Sequence, residues 1–131
     1  MHKINNILAR EIIDSRGNPT IEVDVITSNG TLGRASAPAG ASTGQNEAIE
    51  LRDNDPNRYN KKGVLSAIQK IHTQITPKLI GIDVSAQEKI DNTLLEIDNT
   101  QNKSILGGNT TVALSLAASH AAAAAYKIPL Y

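Results

Sequence analysis

The sequence predicts an α+β fold, a three-stranded antiparallel meander followed by a helical segment. Three observations lead there. Apolar and polar residues alternate along the first third of the chain, apolar residues recur at helical spacing beyond residue 63, and neither a linker nor an internal repeat separates the two stretches.

Ile4 to Ile13 reads as the first extended segment. It is closed by Asp14-Ser15-Arg16-Gly17-Asn18-Pro19, which is dense in turn formers. Ile21, Val23 and Val25 alternate with Glu22 and Asp24, the period of a half-buried strand. Asn29-Gly30 is a two-residue hairpin signal, and Leu32 to Ala37 is the returning strand. Glu47 to Arg52 is expected to make a short helical turn, and 53–57 a loop. Val64, Ile68, Ile71, Ile75 and Leu79 fall on one helical face, with Pro77 distorting the last turn. Ser85-Ala86-Gln87-Glu88 has the spacing of a capping box for a helix with Ile90, Leu94 and Ile97 on its apolar face. Asn109 is read as the cap of a last helix through Tyr126, ended by Pro129. Its alanines, among them 121–125, make that helix thin, so that neighbouring backbones can approach closely.

The 131 residues fit one domain. The hydrophobic fraction is 40%, but Phe and Trp are absent, so the core must be aliphatic. Lys+Arg 13 balances Asp+Glu 13, which argues against a nucleic-acid binder or a charge-driven membrane binder. The absence of cysteine excludes disulfides and thiolate metal sites. No signal peptide or membrane span is read at the N-terminus, and a cytoplasmic setting is expected. The sequons at Asn102 and Asn109 are then chance matches.

Residues Gly40-Ala41-Ser42-Thr43-Gly44 form a run too glycine-rich for a helix and too flexible for a strand. A phosphate-binding P-loop needs Lys and a hydroxyl residue after its last glycine, whereas Gln45 and Asn46 follow Gly44. The Rossmann glycine spacing is also missing. What remains is a loop with two hydroxyls, able to move onto a ligand. The Asp14–Pro19 turn is read as structural, with Asp14 either pairing with Arg16 or accepting backbone N–H groups. His2, His72 and His120 lack ligand spacing and are expected to be packed or half-exposed. Glu47, Glu50, Asp53 and Asp55, like the Arg58, Lys61, Lys62 cluster, are read as solvated.

Two runs are far more specific than any of these. Asp14-Ser15-Arg16-Gly17-Asn18-Pro19-Thr20 and Gly40-Ala41-Ser42-Thr43-Gly44 occur in this order, with Glu50-Leu51-Arg52-Asp53, Lys62-Gly63-Val64 and Ile128-Pro129-Leu130-Tyr131 after them. On these the chain resembles the N-terminal domain of enolases along its whole length (1–131). Ala39 departs from the usual Ser before the second run, Gly108 from the usual Ala, Lys61 from a glycine, and His72 from an Asn.

The resemblance implies dehydration of 2-phosphoglycerate to phosphoenolpyruvate with two Mg2+ ions, in a cytoplasmic homodimer. It implies that the base, the acid and three carboxylate ligands lie in a barrel domain outside these residues, so that this chain alone is inactive. Within the chain it assigns Ala39, Gly40, Ala41, Ser42, Thr43 and Gly44 to a loop closing over substrate. Ser42 would supply oxygens to the second Mg2+, and Arg10 and Glu22 would contact the barrel of a second subunit. A stand-alone protein-binding module is the alternative reading.

Overall fold

Strands β1 (Ile4–Ile13), β2 (Pro19–Thr27) and β3 (Leu32–Ser36) form one antiparallel sheet with β2 in the centre. The computed structural model describes residues 1–39, 44 and 46–131. The β1–β2 register runs from Asn6↔Ile26 to Ile13↔Pro19, with an irregularity between Ile4 and Asn6. In the β1–β2 turn the Asp14 carboxylate accepts the N–H groups of Arg16 and Asn18, both at 2.9 Å. The Arg16 guanidinium instead donates to the carbonyl of Ala39 at 3.1 Å.

The β2–β3 hairpin is one residue longer than Asn29-Gly30 suggested. Thr27 N–H donates to Thr31 at 2.8 Å, Gly30 N–H to Thr27 at 2.9 Å, and Gly30 has φ 87°. That is a turn closed by a left-handed glycine, the three-residue hairpin with a bulge. Only Gly reaches this φ without steric cost.

The apolar face over 64–79 folds as one continuous helical run with a widened turn inside it. Helix α1 spans Leu65–Lys70, a widened π turn Ile71–Ile75, and α2 Thr76–Leu79. Pro77 lacks an N–H, and its ring crowds the preceding turn. Thr76 instead bonds the Ile71 carbonyl twice, through its N–H in the π pattern and through its Oγ1 at 2.8 Å. Val64, Ile71, Ile75 and Leu79 still point into the core.

Helix α3 (Gln87–Ile97) starts without the expected capping box. Ser85 Oγ donates to Asp83 Oδ1 at 2.7 Å, and a charged acceptor two residues upstream takes the hydroxyl away from the helix end. Helix α4 (Gly108–Ala125) begins one residue before Asn109, so Asn109 is inside its first turn and does not cap it. Residues 47–52 make no helical turn. Their backbone groups bond across the chain instead, for example Ile49 N–H to Asn102 at 2.8 Å.

The aliphatic core lies between one face of the sheet and the helices. Ile7, Ile21, Val23 and Val25 meet Ile71, Ile90, Leu114 and Ala117, all fully buried or nearly so. The thin helix does what its alanines suggested. A Cβ on Gly33 of β3 would lie 2.1 Å from the backbone nitrogen of Ala121 and 2.4 Å from the Ala117 carbonyl oxygen. Strand and helix therefore meet backbone to backbone.

Candidate functional site

Two clefts flank Ala37 and Pro38, the described residues that lead to the expected substrate loop. One, of about 380 Å³, is lined by residues of the Asp14–Arg16 turn together with Thr20, Ser36 and 37–39. The other, of about 260 Å³, lies between Pro38, Glu47, Glu50 and the start of α4 at Gly108 and Asn109. Of the loop residues Ala39, Gly40, Ala41, Ser42, Thr43 and Gly44, the described ones are Ala39 and Gly44. Ser42, the expected Mg2+ ligand, lies outside the described residues.

Both points where the loop joins the fold are tied down. On the incoming side, Ala37 N–H donates to Ile21 at 3.0 Å, buried Thr20 Oγ1 donates to the Ala37 carbonyl at 2.5 Å, and Arg16 holds Ala39. On the outgoing side, Gly108 N–H donates to Ile49 at 2.7 Å. The Asn109 side chain bonds both the N–H and the C=O of Leu51, at 2.9 and 3.2 Å. Arg52 then bridges Glu50 (2.8 Å), the Pro19 carbonyl (2.5 Å) and the Lys62 carbonyl (2.8 Å).

The polar residues read as solvated include two that organise structure. Asp53 accepts the N–H groups of Leu65 and Ser66 and the Ser66 hydroxyl, at 2.7 to 2.9 Å, and so satisfies the start of α1 from outside the helix. Burial pushes its carboxyl up, but these bonds outweigh it and hold it below the ordinary range. Arg58 pairs with Glu11 at 2.6 Å and lies over the Tyr59 ring at 5.2 Å, while Glu11 also accepts the Val64 N–H at 3.0 Å. The three residues 59–61 have positive φ of 46°, 51° and 70°, a turn that points Arg58 back under β1. Their partners lie 12 to 53 residues away in sequence, so no local pattern pointed to them. His72 and His120 are exposed rather than packed, and His72 Nε2 accepts the Ala9 N–H at 3.3 Å.

Arg10 and Glu22, expected at a subunit contact, sit on the sheet face turned away from the helices and pair with each other at 2.7 Å. Asp24, beside them, is 2% exposed and also receives Arg10 (2.5 Å) and Arg34 (2.6 Å). The Arg34 hydrogen bonds outweigh the cost of burial and, with Arg10, hold its carboxyl at about 2.

Magnesium prefers six oxygens in an octahedron. Among the described residues no group of three or more His, Asp or Glu stands close enough to hold a metal ion. Among them, no helix is long and apolar enough to cross a membrane.

The model of the enolase N-terminal domain matches residues 4–131. The chain is 57% identical to the enolase of Methanosarcina mazei and to that of Methanosarcina acetivorans, over 130 residues, 99% of the chain and 30% of each relative. It is 57% identical to the enolase of Ehrlichia canis over 128 residues, 98% of the chain and again 30% of the relative. The chain thus spans about 30% of the length of the curated relatives it matches. With a matched family model over nearly every residue, and the meander-then-helices architecture beneath it, the chain belongs to the enolase N-terminal domain family.

Proposed function

We propose that this chain is the N-terminal domain of a cytoplasmic, homodimeric phosphopyruvate hydratase, a lyase of glycolysis and gluconeogenesis that dehydrates 2-phosphoglycerate to phosphoenolpyruvate. The observation that carries this reading is the 57% identity to enolases over 99% of the chain. In it, the loop Ala39–Gly44 closes over substrate and Ser42 lends oxygens to the second Mg2+. That ion, when bound, would neutralise charge building on the substrate carboxylate. The chain's own part is to present the loop from two fixed points and to exclude water when it closes. Arg10 and Glu22 face the barrel of the second subunit, and Asp24 keeps Arg10 aligned for that contact.

The reading is tested with the 131-residue polypeptide alone and with an enolase carrying it as its first domain. A coupled assay should detect phosphoenolpyruvate formation from the longer protein and none from the polypeptide, which lacks the base and acid the family places in the barrel. Magnesium-dependent turnover by the polypeptide that persists through further purification would overturn the assignment of chemistry to the barrel. Lack of turnover by the longer protein would overturn the activity itself.

A further inference from the structure

Residues 47–51 form neither helix nor strand, yet both backbone groups of Ile49 and of Leu51 are hydrogen-bonded. Asn109 lies in the first turn of α4, is 7% exposed, and among the described residues bonds through its side-chain amide to Leu51. Accepting one N–H and donating to the C=O of the same residue is what a neighbouring antiparallel strand would do. The start of α4 is shaped to permit this. A Cβ on Gly107 would lie 2.6 Å from the Leu51 Cβ, and one on Gly108 would lie 2.7 Å from the Ala48 Cβ. Two successive glycines thus bring 48–51 into direct contact with the helix end, and Gly108 N–H to Ile49 at 2.7 Å completes the seam.

We propose that Asn109 is a positioning residue for the substrate loop. By pairing with Leu51 it holds the point where the chain rejoins the fold after Gly44. The proposal rests on the reading that the loop brings Ser42 to the substrate. It does not place Asn109 in contact with substrate or metal.

A double-mutant cycle in an enolase carrying this domain tests it. Asn109→Ala should lower kcat/KM on the order of tenfold to a hundredfold, the usual cost of misplacing a group held at a distance. In the Ser42→Ala background the same change should cost less than about twofold, because the group being positioned is already gone. Amide exchange at Ile49 and Leu51 should speed up in Asn109→Ala. Asn109→Asp keeps the acceptor for the Leu51 N–H and puts a negative charge in the first turn of α4, where the helix favours it, so this variant should fold and show the same coupling at smaller amplitude. Equal losses in both backgrounds, or unchanged kinetics in Asn109→Ala with faster exchange at Leu51, would overturn the proposal alone. Wild-type kinetics in Ser42→Ala by itself would overturn the reading of the loop and the proposal with it.

Discussion

The two faces of the sheet are built by opposite means. The inner face meets α4 through absent side chains: Gly33 lies against the backbone of Ala117 and Ala121, and the seam closes on contact alone. The outer face is held by charge, with Asp24 gathering Arg10 and Arg34 from the flanking strands and Glu22 joining Arg10. Both faces come from one strand, β2, whose alternation sends Val23 and Val25 inward and Glu22 and Asp24 outward. The inner face should therefore be sensitive to volume and indifferent to pH and salt. The outer face should be the reverse.

Gly33→Ala should have the largest effect. The new Cβ meets three backbone atoms of α4 within 2.6 Å, and backbone cannot rotate away as a side chain can. A loss of about 3 kcal/mol is expected, at the upper end for overpacked cores, with the same loss at pH 7 and pH 3. Urea unfolding at both pH values would measure it, and a loss below about 1 kcal/mol would mean that strand and helix separate easily.

Asp24→Asn comes next. Its carboxyl, held at about 2 against an ordinary 3.8, corresponds to about 2 kcal/mol favouring the charged folded form. Because the folded value is the lower one, this stability is complete above the ordinary value and is lost as pH falls through about 2. The variant should therefore be about 2 kcal/mol less stable at pH 7, and the gap should close as the pH approaches 2. A gap that stays constant over that range would show that packing, not charge, organises the outer face.

Gly30→Ala touches neither face and serves as the control. With φ at 87° it should cost about 1 kcal/mol at every pH and salt concentration. A larger loss would show that the hairpin itself sets the register of both faces.

Much of the fold was legible in the residues. The strands follow from alternation, the aliphatic core from the lack of Phe and Trp, and the close seam at α4 from its alanines. These are local properties: side-chain size and period are written in adjacent residues and need no partner to be read. The family too was legible, because two specific runs stand in order along the chain. Fine points went the other way. Ser85 has the spacing of a cap and lost its hydroxyl to Asp83, and Asn109 has the chemistry of a cap and turned to Leu51. Asp53 and Arg58 looked solvated and instead hold the start of α1 and the edge of β1.

The sequence by itself determined the three strands and the helical stretches beyond residue 63, and the family, but not the conformation of 47–52. Only the tertiary structure decided where the polar side chains go. A carboxylate, amide or guanidinium bonds whichever complementary group the fold brings within about 3 Å, and for Glu11, Asp53 and Asn109 that group lies 53, 13 and 58 residues away along the chain.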